Sequence, residues 1–148
     1  MRLLADTNIL LRWIETDSTE HESCVNALDH LFVRKAHVCI CAQVLVEFWV
    51  VATRPRAVNG LGLTAGEATV RLHEIEETFL LLPEPPDIAR RWADVVTANG
   101  ILGKQAHDAR LVALMLSHGI TQLLTLNPSD FARYPEITPL TPAEVLSL

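Results

Sequence analysis

RLLADTNILL, residues 2–11, reads as a short buried strand, an aspartate and the first turns of a helix. The apolar run that ends at Ala5 suits a strand buried on both faces, as in parallel sheets. Asp6 would then follow the carboxyl end of that strand, which is where ligands bind in open α/β sheets. If the rest of the chain repeats this strand-to-helix unit, polar residues of several turns should meet at one edge of a sheet.

The same pattern recurs along the chain. Further apolar runs predict strands at Val38–Cys41, Phe79–Leu82, Leu123–Leu126 and Ile137–Leu140. Capping boxes predict helix starts at Thr19–Glu22, Thr64–Glu67 and Thr141–Glu144. Apolar periodicity adds helices over roughly 43–53, 87–99 and 104–118. Strands that alternate with helices favour the α/β class, with a mostly parallel sheet flanked by helices on both faces.

Composition limits the kind of protein. The chain has 148 residues, of which 49% are hydrophobic, so we expect one domain over residues 1–148. Its formal charge of −6 argues against a protein that holds nucleic acid by general electrostatic attraction. We see neither a signal sequence nor an apolar run that could cross a membrane. Three cysteines, Cys24, Cys39 and Cys41, match no zinc spacing and fit a reducing cytoplasm.

Four acidic residues are candidates for a metal site: Asp6, Glu47, Asp108 and Asp130. Each also has a purely structural explanation, since Asp6 suits a helix N-cap, Asp108 a helix first turn and Asp130 a turn. Glu47 is the least expected, because it interrupts the apolar run VLVEFWVVA, residues 44–52. All four should nevertheless lie where strands end and helices begin.

Carboxylates gathered there would repel one another by roughly 4 kcal/mol per pair about 4 Å apart at an effective dielectric near 20. A divalent cation removes that repulsion. Ligands that are all oxygen favour Mg²⁺ or Mn²⁺ over zinc. We therefore interpret Glu47 as a side chain that its helix points into a hydrated pocket that binds metal.

Four segments carry a resemblance to a known family: LLADTNILL at 3–11, QVLVEF at 43–48, HDARLVA at 107–113 and LTLNPSDF at 124–131. In this order they resemble the PIN-domain family, and most closely the VapC-type toxins of bacterial toxin–antitoxin pairs. The resemblance covers nearly the whole chain. It implies a five-stranded parallel sheet, Mg²⁺- or Mn²⁺-dependent endoribonuclease activity, and Asp6, Glu47 and Asp108 as acidic ligands.

The fourth acidic position departs from the family pattern. The family often has an acid two residues after the threonine of its last motif, where this chain has Asn127, with Asp130 three residues further on. Either Asp130 completes the site, which we favour, or Asn127 serves as a neutral ligand. Thr7 and Thr125 are expected to hydrogen-bond the carboxylates and fix their orientation.

An RNA substrate has to be gripped by local basic residues, since the overall charge repels it. Arg12, Arg54, Arg56 and Arg110 lie in or near the motifs, and we predict that they bind the substrate. If the chain is such a toxin, its partners are a cognate antitoxin and a second copy in a homodimer. Helices near 20–35 and 64–78 would form those contacts.

Two other functions compete with the nuclease. A metal-dependent phosphatase would use Asp6 as a covalent nucleophile, but enzymes that resemble haloacid dehalogenases need a second Asp where this chain has Asn8. A degenerate PIN-like domain would bind RNA or a partner without cleaving it, and the missing acid at Asn127 keeps this alternative open.

Overall fold

The sheet forms because five apolar segments pair side by side in one direction. The structure is a computed structural model that describes residues 1–148. Its strands are β1 (Arg2–Ala5), β2 (His37–Ile40), β3 (Leu80–Leu81), β4 (Gln122–Leu124) and β5 (Thr138–Leu140). They pair in the order β3-β2-β1-β4-β5, and every pair is parallel. The predicted α/β class is confirmed, and the sheet is wholly rather than mostly parallel.

Seven helices surround this sheet. They are α1 (Thr7–Ile14), α2 (His21–Val33), α3 (Ala42–Thr53), α4 (Ala65–Thr78), α5 (Ile88–Asn99), α6 (Gln105–Ser117) and α7 (Pro142–Val145), with short 3₁₀ turns at Arg56–Val58 and Pro128–Phe131. No helix is long and apolar enough to cross a membrane.

The capping predictions hold at two helices and fail at one. Thr64 with Glu67, and Thr141 with Glu144, form complete capping boxes at α4 and α7. Thr19 does not cap α2, which begins at His21 without a side-chain cap. Instead Ser18 Oγ accepts a hydrogen bond from the backbone N–H of Glu20 at 3.2 Å, so this serine contact takes the place of the predicted box.

The third strand also differs from its prediction as a strand buried on both faces. β3 has only two residues, and the side chains of Leu80 and Leu81 are about half exposed. Since β3 pairs only with β2, it lies at the edge of the sheet. The flanking Phe79 and Leu82 are buried and anchor this edge to the core.

The centre of the sheet is closed on both sides. Leu3 and Leu4 are neighbours in β1 and are both fully buried, although successive strand residues point to opposite faces, so helices cover both faces. The chain passes from β1 outward to β2 and β3 and then returns to the other side with β4 and β5. The direction of winding therefore reverses between β1 and β4, which is where such folds place their ligands.

Candidate active site

Asp6 lies at this reversal point. Its carboxylate caps α1 by accepting from the backbone N–H of Thr7 at 2.8 Å. The other oxygen accepts from the Thr125 hydroxyl at 2.8 Å, just beyond β4. Thr125 is completely buried and in turn accepts from the amide of Asn8 at 3.3 Å. Asp6 is thus both the N-cap and part of a hydrogen-bonded group that joins β1 to β4.

Glu47 is held at the same edge from α3. Its Oε2 accepts from the hydroxyl of Thr7 at 2.8 Å, and its Oε1 accepts from the amide of Gln43, one turn earlier, at 3.0 Å. These bonds explain how an apolar helix accommodates a carboxylate: α3 turns Glu47 toward α1 and its hydroxyl donor. The hydrogen bonds that the sequence predicts from Thr7 and Thr125 to carboxylates are present.

Asp108 belongs to the first turn of α6, and it lies close enough to the other acids for their charges to affect its pKa. Burial first, and then the charges of Asp6, Asp130 and Glu47, together raise its pKa from 3.8 to about 6. Burial also raises the pKa of Asp6, against the lowering effect of the bonds from Thr125 and Thr7, with Glu47 and Asp130 adding to the rise. The four predicted acids therefore form one electrostatic cluster.

A cavity of about 770 Å³ opens beside this cluster. Glu47, Asp108 and Asp130 line it, while Asp6 lies deeper at the end of β1. The other lining residues are Ala42, Gln43, Val46, Glu84, Lys104, Gln105, His107 and Arg110. Asn127 is exposed and is not among them; its backbone N–H donates to Thr125 at 3.1 Å. The structure thus groups Asp130, and not Asn127, with the other acids.

Of the four arginines predicted to bind substrate, only Arg110 lines this cavity. Arg12 pairs with Glu15 at 2.8 Å, and Arg56 lies 3.9 Å from Asp17. Arg54 donates to the carbonyl of Asn59 at 3.1 Å. None of these three lines the cavity, so closeness in sequence to a motif does not place a side chain there.

Lys104 lines the cavity, is exposed and takes part in no ion pair. It is not one of the four arginines predicted to bind the substrate, although it too is a basic residue close to a motif, three residues before the segment that contains Asp108. Gln43 belongs to the segment QVLVEF, and no role is predicted for it from the sequence, although its amide donates to Glu47.

None of the ion pairs in the structure includes Asp6, Glu47, Asp108 or Asp130. Four acids without a counter-charge suit a cation, and their hard oxygen donors suit Mg²⁺ or Mn²⁺. No three acidic, histidine or cysteine side chains are close enough to hold one ion directly. Mg²⁺ commonly keeps several waters and binds one or two carboxylates, so the donor set fits a largely hydrated ion.

The fold and the acidic edge define a class of protein, and a comparison of families identifies it. The family model described as PIN domain matches residues 3–137, so the chain belongs to the PIN-domain family. No curated protein is significantly similar to it in sequence.

Solved structures of the same fold include toxin–antitoxin proteins. The structure of VapBC2 from Rickettsia felis bound to a promoter DNA fragment has a chain with a TM-score of 0.70 and 17% identity, covering 95% of this chain and 98% of that one. DNA-bound VapBC from Salmonella typhimurium gives 0.69 and 16%, with coverages of 96% and 98%. VapC20 of Mycobacterium tuberculosis, a toxin that cleaves the sarcin–ricin loop, gives 0.56 and 18%, with 82% and 86%.

Proposed function

We propose that this protein is a VapC-type toxin, a Mg²⁺- or Mn²⁺-dependent endoribonuclease of the cytoplasm that a cognate antitoxin inhibits. One observation carries the proposal: in a PIN-domain chain, Asp6, Glu47, Asp108 and Asp130 converge from distant segments at one edge of the sheet without any ion pair. The similarity in fold to VapBC complexes supports the toxin assignment.

The residues divide the work of such an enzyme. The acids hold the metal, while Thr7 and Thr125 keep two of them oriented. A divalent ion held by these acids would polarise a phosphodiester and lower the pKa of a water. Lys104 at the rim contributes the positive charge that a phosphate backbone requires.

The partners follow from the same proposal. RNA enters the cavity beside the acids, and the antitoxin covers that cavity. A second copy of the chain completes a homodimer. Most apolar side chains of α2 face the core, among them Ala27, Leu28 and Leu31. Val33, at the end of α2, and Val70, in α4, are exposed. The part of α2 and α4 left for contacts is therefore smaller than their sequences suggest.

The test is cleavage of a structured RNA by the purified protein with Mg²⁺ or Mn²⁺, and again with excess EDTA. We expect cleavage that EDTA abolishes and that added Mn²⁺ restores. Cleavage that EDTA leaves unchanged would contradict a metal-dependent enzyme.

A second candidate function is a PIN domain that binds RNA or a partner without cleaving it. Asn127, at the position where the family often has an acid, favours this reading. Calorimetric titration with Mn²⁺ distinguishes the two candidates. The nuclease should bind Mn²⁺ at sub-millimolar concentration, and the non-catalytic domain should not. The phosphatase alternative has less support, since this chain has Asn8 where enzymes that resemble haloacid dehalogenases need a second Asp.

A further inference from the structure

Gln43 joins the two helices that carry cavity acids. Its Nε2 donates to Oε1 of Glu47 at 3.0 Å and to the backbone carbonyl of His107 at 2.8 Å. His107 directly precedes Asp108 on α6. One amide group therefore bonds both to the acid of α3 and to the backbone beside the acid of α6.

The two helices have little else to hold them together at this end. α3 packs mainly on α1 and α4, and α6 packs mainly on α5. Asp108 itself has no hydrogen-bond donor from α3. The amide of Gln43 is consequently the direct polar link that sets the separation of Glu47 and Asp108.

Arg110 fixes which way this amide faces. Its Nη1 donates to Oε1 of Gln43 at 2.9 Å, and its Nη2 bonds to Glu84. A guanidinium has only donors, so it must meet the amide oxygen, which turns the NH₂ group toward Glu47 and His107. Glu84, from the loop after β3, holds Arg110 in place. A chain of contacts thus runs from Glu84 through Arg110 and Gln43 to Glu47.

We propose that Gln43 is a positioning residue, which holds the Glu47 carboxylate at a fixed distance from Asp108 and thereby prepares the pair for a divalent ion. The inference rests on the proposed nuclease function. It also gives Arg110 a different task from the predicted one: with Gln43 and Glu84 bound to it, Arg110 orients the amide instead of gripping substrate.

The experiment uses Gln43→Met, which keeps an unbranched side chain of similar length but removes every hydrogen bond. Gln43→Glu keeps the contact to Arg110 yet cannot donate at neutral pH. Gln122→Met is the matched control, because Gln122 is half-buried on β4 and its side chain makes no hydrogen bond. Each variant is assayed for RNA cleavage with Mn²⁺ and, in the metal-free state, for the carboxyl ¹³C chemical shift of Glu47.

We expect both Gln43 variants to lower kcat about 10–100-fold, the usual effect of losing a partner that orients a metal ligand, with KM changed less than about twofold. The Glu47 carboxyl signal should move in both, and Gln122→Met should change neither quantity. Gln43 variants with wild-type kcat and an unmoved Glu47 signal would overturn the inference. If the wild type cleaves no RNA, the proposed function falls, whereas the metal-free Glu47 signal still decides the role of Gln43.

Discussion

The hydroxyl of Thr7 donates a 2.8 Å hydrogen bond to Glu47, forty residues later in the chain. Thr7 begins α1 and is buried, and Glu47 lies one full turn into α3. Because Thr7 also gives its backbone N–H to Asp6, a single residue contacts two of the acids. Asp6 and Glu47 are therefore held in place through the first residue of α1.

Removing an acid of the cluster should abolish cleavage. We expect Asp6→Asn and Asp108→Asn each to lower kcat for a structured RNA by more than about 100-fold, because loss of an outer partner alone costs about 10–100-fold. Asp94→Asn, an exposed acid that pairs loosely with Arg90 on α5, is the control and should leave kcat unchanged. Full activity in either site variant would remove that residue from the catalytic set.

Asp130 and Asn127 should differ in their effect on metal binding. The charge of Asp130 is felt at both Asp6 and Asp108, whereas Asn127 is exposed and outside the cavity. We expect Asp130→Asn to weaken Mn²⁺ binding about 10-fold or more and Asn127→Ala to leave it within about twofold. Calorimetric titration measures both, and the reverse order would assign the fourth ligand to Asn127.

The protonation of Asp108 should make stability depend on pH. Its pKa is raised by burial and by the neighbouring acids, from 3.8 to about 6. A raised pKa stabilises the folded state fully below pH 3.8, and that stabilisation is lost as the pH rises through about 6. We expect metal-free Asp108→Asn to exceed the wild type in free energy of unfolding by roughly 1–2 kcal/mol at pH 8, allowing for solvent screening, and by much less near pH 4.

Urea denaturation at the two pH values measures this difference. Addition of Mn²⁺ should then stabilise the wild type more than Asp108→Asn, since only the wild type retains the acid that the ion would neutralise. An equal response of the two proteins to Mn²⁺ would contradict a metal site at Asp108.

Replacing Lys104 should weaken RNA binding, whereas replacing Arg56 should not. Lys104 lines the cavity without an ion pair, while Arg56 faces Asp17 elsewhere. We expect Lys104→Ala to raise KM several-fold and to reduce the salt dependence of RNA binding by about one phosphate contact. Arg56→Ala should change neither. The measurements are KM and the slope of binding affinity against salt, and an effect confined to Arg56 would restore its predicted role.

Thr125 should matter for stability as well as for the site. It is buried and donates to Asp6 while it accepts from Asn8. We expect Thr125→Val to lower the free energy of unfolding by about 1–3 kcal/mol, because it leaves buried polar groups without a partner. Thr138→Val, at an exposed position of β5, should change it by less than about 0.5 kcal/mol. Urea denaturation without metal compares them.

The sequence predicted local structure well wherever that structure depends on interactions between residues close together in the chain. The turn at Asp6 and the capping boxes of Thr64 and Thr141 depend on neighbours within four residues, and the structure contains them as expected. The Thr19 box failed because Ser18 offers a competing hydroxyl at the same turn. The length and exposure of β3 depend on its place at the edge, which no local pattern records.

The candidate site divides in the same way. Asp6, Asp108 and Asp130 could be selected because they follow a strand or begin a helix, and strand ends must meet in a parallel sheet. Glu47 could be selected because it interrupts an apolar run. The sequence does not show which arginines line the cavity, because the position of a long side chain depends on how its segment packs. The link from Gln43 to His107 spans 64 residues and uses a backbone carbonyl, which leaves no trace in the sequence.

The two borders of the sheet offer little to a strand from another molecule. β3 presents only two residues. On β5 the N–H of Thr138 donates to Thr121, and the carbonyl of Leu140 accepts from Thr125, so Pro139 faces outward, where it has no N–H to offer. Short edges and outward prolines oppose sheet extension. A binding protein is therefore expected to dock through helices and loops instead of adding a strand, and fibril-like extension of the sheet is disfavoured at both edges.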